Sequence, residues 1–251
     1  MRRNIARGLI GVGVFFLGLQ LLYVVNIRFP FEPAPFDVVG TCVSLVTSGE
    51  IWPDVFSSSI RVFVGVVLAA LIAVPLGILL AWKQNISPYI NPVLELIRPI
   101  PPIAWIPIAI LTFGIGDVSA YFIVFIGAFF PLFSNAYFGA RSLPKVLRHT
   151  CQSYGINGLT YLYKVLFHYS LPNIFTGLKV AVGMAWMSVI AAELAGVQGG
   201  LGYFIQYNRL LLRIDYVIAG MIYIGLIGTA FSILVMLAER LATPWRFTKN
   251  T

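Results

Sequence analysis

The sequence predicts an all-α integral membrane protein with six transmembrane helices and one long cytoplasmic loop. Of its 251 residues, 59% are hydrophobic and only 10% are charged, whereas soluble domains carry about 25% charged residues. Apolar stretches recur along the chain at the length of about 20 residues that a helix needs to cross a bilayer. We therefore predict a single transmembrane domain over residues 1–251, with spans at 8–27, 59–82, 100–114, 120–140, 177–196 and 216–237.

The distribution of charge orients these spans. With the N-terminus in the cytoplasm, thirteen of the 17 Lys and Arg residues fall on the inner side and four on the outer side, as the positive-inside rule requires. Both termini are then cytoplasmic. This asymmetry accounts for the net charge of +8, which would otherwise suggest the basic face of a soluble nucleic-acid-binding domain. We predict no nucleic acid as a partner.

Two segments outside the regular spans have their own signals. Residues 8–27 follow three arginines and imitate a signal peptide, but the apolar run is long and no small-residue cleavage site follows it, which predicts a retained span. Residues 28–53 are predicted to lie outside, with an amphipathic helix near residues 36–47.

The prolines at 99, 101, 102 and 107 precede and begin the third span. Such density forbids a regular helical hydrogen-bond ladder, and non-helical backbone at membrane depth must be buried in protein or line a cavity. We expect this stretch to face the protein interior. Just before it, Glu95 and Arg98 lie three residues apart on a predicted helix and are expected to pair.

The cytoplasmic loop, residues 142–176, is predicted to fold as two short helices. Pro144 suits a first helical turn, and Gly155 suits a left-handed stop. Asn157 suits the cap of a second helix, which is expected to end before Pro172. The loop is rich in aromatic side chains, which favours a partner-binding surface over a loop packed only on its own bundle; these are Tyr154, Tyr161, Tyr163, Phe167 and Tyr169.

Several blocks together resemble the permeases of binding-protein-dependent ABC importers, and more narrowly the nitrate, sulfonate, taurine and bicarbonate group. They are Ile-Arg-Pro-Ile-Pro-Pro-Ile-Ala-Trp-Ile-Pro at 97–107, Ser-Tyr-Gly-Ile-Asn-Gly at 153–158, Leu-Pro-Asn-Ile-Phe-Thr-Gly-Leu-Lys at 171–179, Ala-Trp at 185–186, Ala-Ala-Glu-Leu at 191–194, Gly-Gly-Leu-Gly-Tyr at 199–203 and Leu-Ala-Thr-Pro-Trp at 241–245. The resemblance covers essentially the whole chain.

The resemblance implies a type I ABC importer permease fold in a bacterial inner membrane. It also implies two ATP-binding cassette ATPase subunits, a second permease copy forming a homodimer, an extracytoplasmic solute-binding protein and surrounding membrane lipid. ATP and Mg would be bound by the partner ATPase, because this chain lacks the glycine-rich phosphate loop that ends in Lys-Ser or Lys-Thr. We therefore expect no cofactor and no enzymatic activity in this chain. The 98–105 block is closer to the sulfonate and taurine branch than to the nitrate branch.

By the same resemblance the loop docks on the ATPase. The family motif consists of Glu-Ala-Ala, then any three residues, then Gly. In this chain its places are held by His149, Thr150, Cys151 and Gly155, so the acid is replaced and the glycine is kept. Further along the loop, the family has a proline three residues after the position of Val165, and this chain has His168 there. Leu171 and Pro172 match a later Leu-Pro of the family. The loop shape is expected to persist with an altered charge.

Other candidates lie in the spans. Glu193 is the one acid well inside a predicted span, so a structural or gating role is expected. With Glu193, the translocation pathway or gate is predicted to involve Trp105, Trp186 and Ser188. Gly177, Ala181 and Ala185 form a small-residue stripe that allows close helix packing, at a subunit interface or within the chain.

The remaining patterns favour no chemistry. The glycines at 196–202 follow a membrane helix and predict a flexible outer turn, not a nucleotide loop. The cysteines, Cys42 and Cys151, fall on opposite sides of the membrane and predict neither a disulfide nor a metal site. An ion-driven secondary transporter or channel is the alternative class, but it usually shows an internal repeat or several polar groups at mid-membrane. A membrane enzyme would need a catalytic cluster, which the sequence lacks.

Overall fold

In a computed structural model, residues 33–247 are described, and they are almost entirely helical. The helices in chain order are α1 Pro35–Ser48, α2 Trp52–Trp82, α3 Ser87–Ile97, α4 Ile106–Phe113, α5 Asp117–Arg141, α6 Lys145–Ser153, α7 Gly158–Tyr161, α8 His168–Ala195, α9 Leu201–Leu210, α10 Ile214–Ala242 and α11 Pro244–Phe247. A 3-10 turn, Pro102–Trp105, precedes α4, and a π-helical turn, Leu162–Phe167, joins α7 to α8.

The core is the contact of α2 and α8 with α5, which lies between them. Small residues bring these helices together: a Cβ at Gly65 of α2 would stand 2.4 Å from Val124 of α5, and one at Gly127 of α5 would stand 2.2 Å from the hydroxyl of Ser188 in α8. Backbones can approach this closely only where a helix presents glycine or alanine. The pairing of α5 with both neighbours therefore depends on its small-residue positions and theirs.

The described spans differ from the predicted ones in their ends. Four helices are long and apolar enough to cross a membrane: Trp52–Trp82, Asp117–Arg141, Gly158–Ala195 and Ile214–Ala242. The helix predicted for 59–82 therefore begins at Trp52, and it runs through Pro75. The predicted span at 8–27 lies outside the described residues.

The predicted third span, 100–114, is not one straight helix. The segments Ser87–Ile97 and Pro102–Phe113 meet at an angle of 88°, and together they make either a broken span or a re-entrant loop. The bend falls at residues 98–101, where Pro99 and Pro101 remove backbone donors and disfavour the helical conformation of the residues before them. Sequence reasoning located the irregular backbone and a helix around Glu95 before it, but not the sharp angle between the two segments. Glu95 and Arg98 form no ion pair in the described structure, although they line the same small cavity beside α5.

The side that the charge distribution predicts to be outside carries two further helices. The predicted amphipathic helix is α1, which lies against α10 through a hydrogen bond from the Thr41 hydroxyl to Asp215 at 2.9 Å and another from the Tyr223 hydroxyl to the Cys42 carbonyl at 2.6 Å. The segment 197–215 was predicted as a loop. It contains α9, whose residues Leu201, Phe204 and Asn208 are buried, so most of this segment is a packed helix.

Candidate functional site

The end of α6 has the geometry that the sequence predicts for Gly155. The amide of Gly155 donates to the carbonyl of Gln152 at 3.0 Å, and the amide of Ile156 donates to the carbonyl of Cys151 at 2.9 Å. These two bonds define a Schellman motif, which requires a left-handed residue at the glycine position. Gly155 has a φ of +73°. Glycine adopts this conformation without the steric cost that a Cβ imposes, so it fixes the direction in which the chain leaves α6.

Apolar side chains of the cytoplasmic loop point away from the bundle. Val146 is 74% exposed, Tyr154 is 80% exposed and Leu159 is 68% exposed. Leu147 and Tyr163 are also exposed, and these five residues are called the exposed loop face below. Tyr161, which was predicted with the surface aromatics, is instead buried at 5% exposure. Several exposed large apolar side chains in one loop of a membrane protein are typical of a protein-binding site.

The second half of the loop does not end before Pro172, contrary to the prediction. Helix α7, the π-helical turn and α8 form one continuous helical segment of 38 residues, Gly158–Ala195, with Pro172 inside it. The missing amide of Pro172 costs one hydrogen bond, which membrane helices tolerate where other groups compensate. Close to this point the His168 ring nitrogen Nδ1 lies 2.9 Å from the carbonyl of Tyr163. The loop is therefore joined to the bundle by a helix and not by a hinge.

The predicted coupling residues occupy different environments. His149 and Thr150 are exposed on α6, while Cys151 is half-buried beneath them and packs with Ile156 against the core. Val165 is half-buried in the π-helical turn. Leu171 and Pro172 are half-buried in α8. The structure thus brings the three motif positions and Gly155 together on α6, and places the later three residues on the helix that continues into the bundle.

At the opposite end of α8, Glu193 lies in a buried ionic cluster. Its carboxylate accepts hydrogen bonds from the guanidinium of Arg61 at 2.7 Å, from the hydroxyl of Ser58 at 2.8 Å and from the amide of Gly202 at 2.8 Å. Arg61 is 3% exposed and Glu193 is 1% exposed. Arg61 also reaches Asp117, at the first turn of α5, at 2.7 Å. The cluster therefore ties the outer ends of α2, α5, α8 and α9 together.

The glycines that follow α8 are packed into this cluster. The Gly199 carbonyl accepts a bond from Arg61 at 2.8 Å, and the Gly200 amide donates to Asp54 at 2.7 Å. Gly200 has a φ of +104°, and a Cβ there would stand 2.3 Å from the Glu193 carboxylate and 2.6 Å from Arg61. The segment predicted as a flexible turn is therefore packed at Gly200 and Gly202, where glycine is required by close contact with the Glu193 side chain.

Sequence reasoning singled out Glu193 but missed its partners. Arg61 was counted only as an outer charge, although a cation within an otherwise apolar helix is itself a sign of a buried partner. Nothing in the spacing links residue 61 to residue 193, because the contact joins helices 132 positions apart. Only the folded structure shows that the two charges neutralise one another.

A second buried carboxylate lies at the inner ends of the helices. Glu239 of α10 is 2% exposed and pairs with Lys179 of α8 and with Arg246 of α11, the latter at 2.7 Å. Sequence reasoning placed Glu239 in a polar tail, which is wrong. Helix α10 instead runs to Ala242, so Glu239 lies in its last turn, and its two ion pairs join α11 to α8.

The predicted pathway residues lie inside the bundle or at its edge. Trp186 and Ser188 are buried in α8, with the Trp186 ring against Phe231 of α10. Trp105 is half-buried beside Phe122. Within the described structure the indole N–H groups of both tryptophans have no hydrogen-bond partner. The pathway role remains a prediction.

The small-residue stripe lies at an internal helix contact. Gly177, Ala181 and Ala185 are buried, and a Cβ at Gly177 would stand 2.7 Å from Asn135 and 3.1 Å from the carbonyl of Pro131, both in α5. Of the two locations predicted, a subunit interface or the chain interior, this structure shows the contact inside the chain. Cys42 and Cys151 are both free.

The fold matches that of a known importer. A structure of the MetNI methionine ABC transporter in an inward-facing conformation aligns with a TM-score of 0.64 at 18% sequence identity, over 77% of this chain and 94% of that chain. The family model for "Binding-protein-dependent transport system inner membrane component" matches residues 73–246. The chain belongs to this family.

This ABC importer permease also has close relatives by sequence. It is 43% identical to a putative ABC transporter permease protein of Methanocaldococcus jannaschii, over 73% of this chain and 69% of that protein. It is 31% identical to the taurine transport system permease protein TauC of Escherichia coli K12, over 86% of this chain and 80% of that protein. The expected family is therefore confirmed, and the secondary-transporter alternative is set aside.

The matched region of this permease contains the whole cytoplasmic loop and Glu193, but begins after Ser58 and Arg61. The buried cluster therefore joins a part of the chain within the family model to a part outside it.

Proposed function

We propose that this permease imports a small anion, with a separate ATPase docked on the exposed loop face. The observation that carries the proposal is the unbroken helical segment Gly158–Ala195, which begins in the cytoplasmic loop and ends beside the buried cluster. An apolar docking surface at one end of a rigid element can transmit a movement to the other end. This permits ATP-driven closure of the partner to reposition the outer helix ends.

The contact on the ATPase side is expected to be apolar. His149 stands where the family has an acid, and it is exposed beside Leu147. A salt bridge from that position is therefore absent, and Val146, Leu147 and Tyr154 supply the buried area. Gly155 sets the angle of α6 on which this face depends.

The buried Arg61–Glu193 cluster is proposed to hold the outer ends of the helices in register. Arg61 pairs with the Glu193 carboxylate, so Glu193 presents no free carboxylate to an anion. Trp105 and Trp186 instead offer N–H donors without partners in the described structure. Neutral donors suit an anion that must be released again, because an indole N–H donates without forming an ion pair.

A sulfonate is the proposed substrate class, supported by the block at 98–105; overall identity does not separate the taurine permease, at 31%, from a nitrate import permease of Synechocystis, at 33%. We also propose that two copies of this chain pair in the membrane with two ATPases. Helix α10 supports this, since only 6% of its most apolar window is buried within the chain, and lipid or a second copy must cover the rest.

The test begins with the binding protein that delivers the solute. Calorimetric titration of that protein with taurine, alkanesulfonates, nitrate, bicarbonate and pyrimidine thiamine precursors identifies the substrate, and a sulfonate is expected. Proteoliposomes holding the full importer then measure uptake with and without ATP hydrolysis. Uptake that continued when hydrolysis was blocked would contradict the proposed mechanism. Tight binding of a neutral solute alone would contradict only the substrate class.

A further inference from the structure

Three open cavities form a row along the inner ends of the helices. The first, of about 270 Å³, lies between α3 and α5 and is lined by Gln84, Ser87 and Arg141. The second, of about 260 Å³, is lined by Lys83, Gln84 and Arg148. The third, of about 300 Å³, lies between α6 and the end of α2 and is lined by Trp82 and Arg148 among others. Gln84 lines both of the first two cavities, and Trp82 and Arg148 line both the second and the third, so the three lie side by side.

The side chains that line the row carry only positive charge. Arg141, Lys83 and Arg148 contribute to it, and no Asp or Glu lines any of the three cavities. In the described part of the chain, none of these three cations forms an ion pair with a carboxylate. By contrast, an ion pair with a carboxylate is formed by each of Arg61, Lys179 and Arg246.

Neighbouring groups hold two of these cations in place. Arg141 donates to the hydroxyl of Tyr137, which also lies 3.0 Å from the Ser87 hydroxyl and 3.1 Å from the Asn91 amide nitrogen. The ammonium of Lys83 lies 4.3 Å from the centre of the Trp82 ring. The cations are thus positioned by neutral donors, acceptors and rings, and their charge stays available to an outside anion.

The row lies on the bundle side of α6 and not on its outer side. Arg148 is half-buried towards Trp82, while its neighbours Leu147 and His149 are exposed. His149 also lines the third cavity, so a protein docked on the exposed loop face approaches that cavity but leaves the first two accessible from the side. Trp82 ends α2 here, and tryptophan is enriched at the level of the lipid headgroups.

We propose that this row binds the phosphate headgroups of anionic phospholipids in the cytoplasmic leaflet. Basic pockets between membrane helices on the cytoplasmic side have the chemistry that such headgroups require, and guanidinium groups bind phosphate oxygens in pairs. The proposal rests on the orientation given under the proposed function. A lipid bound there would contact α6, α2 and α5 together, and would stabilise the loop against the bundle.

The test uses the full chain in nanodiscs of phosphatidylcholine with and without phosphatidylglycerol. The variant K83Q/R141Q/R148Q removes the three cations, and R209Q/R213Q is the control, since it removes exposed charges from the outer side. Native mass spectrometry counts retained phosphatidylglycerol, and a titration gives its affinity. We expect the triple variant to lower that affinity about 100-fold, from about a fivefold loss for each of the three cations, and the control to change it less than threefold.

Two further arms separate the possible sources of the result. Inorganic phosphate alone, added to phosphatidylcholine nanodiscs, distinguishes a soluble anion site from a lipid site. If phosphate stabilised the protein against thermal unfolding as much as phosphatidylglycerol does, the proposal would be overturned. Equal lipid retention by the triple variant and the wild type would overturn it as well. Thermal unfolding in pure phosphatidylcholine checks that the variant is folded. No arm involves ATP or transport, so a failure here is distinct from a failure of the proposed function.

Discussion

Replacing Gly200 by alanine should damage the protein far more than the same change at Gly155. Both glycines have positive φ angles, +104° and +73°, so both variants suffer left-handed strain of about 1–2 kcal/mol. At Gly155 the new methyl group meets nothing within 4 Å, and strain is the whole cost. At Gly200 it would stand 2.3 Å from the Glu193 carboxylate and 2.6 Å from Arg61, so the buried pair must separate.

The magnitude follows from that separation. Breaking a buried ion pair by removing one partner costs about 3–5 kcal/mol, and a displaced pair loses part or all of this. We expect Gly200→Ala to lower the free energy of unfolding by about 2–6 kcal/mol. For a chain of this size each kcal/mol shifts the melting temperature by about 2–4 °C. Gly200→Ala should therefore melt several degrees below Gly155→Ala.

The assay is thermal unfolding of each variant in one detergent, followed by a thiol-reactive dye and checked by scattering. Gly40→Ala is the matched control, because Gly40 lies inside α1 with open space around it, and alanine in a helix gains about 0.5–1 kcal/mol over glycine. The expected order of stability is Gly40→Ala, wild type, Gly155→Ala, Gly200→Ala. Equal melting of the Gly200 and Gly155 variants would refute the tight packing of the glycine segment on Glu193.

The other predictions concern coupling, topology and the inner carboxylate. Gly155→Val should uncouple the reconstituted importer, because a β-branched residue cannot adopt the φ of Gly155. We expect ATPase activity to persist while uptake per ATP falls severalfold. Unchanged uptake per ATP would contradict the role of α6. In single-cysteine variants, a membrane-impermeant maleimide should label Cys42 on intact cells and Cys151 only after permeabilisation; labelling of Cys151 from outside would overturn the orientation. Burial raises the pKa of the Cys42 thiol, so less of the reactive thiolate is present at neutral pH. The rate of maleimide labelling at Cys42 should therefore keep rising as the pH passes through the ordinary pKa range of a cysteine thiol. Glu239→Gln should destabilise the protein by about 1–3 kcal/mol, since it weakens bonds to two cations, and Lys179→Gln in that background should add little; full additivity of the two melting shifts would contradict direct pairing.

The sequence predicted those features that depend on local chemistry. A deficit of charge and a stretch of apolar residues identify a membrane helix whatever its neighbours are. Gly155 was predicted as a helix stop because a left-handed residue after an amphipathic segment requires glycine, and this position has the expected geometry. The outer helix α1 was predicted from its pattern within one residue at each end.

The features that sequence reasoning missed depend on distant parts of the chain. Pro172 was taken as a helix end because proline breaks isolated helices, but it lies inside α8, where packing on α5 compensates for the lost bond. The partners of Glu193 and Glu239 come from other helices, so no local pattern reveals them. The glycines at 199–202 look flexible in the sequence, and only the positions of Arg61 and Asp54 show that they are tightly packed.

The continuous segment Gly158–Ala195 has a mechanical consequence. Its 38 residues, at about 1.5 Å of rise each, give a rod about 57 Å long. If one end is held and the rod tilts by about 5°, the other end moves by about 5 Å, more than the 2.7 Å between the Arg61 and Glu193 charges. A tilt of a few degrees about the loop end is thus large enough, at the far end, to pull an ion pair apart.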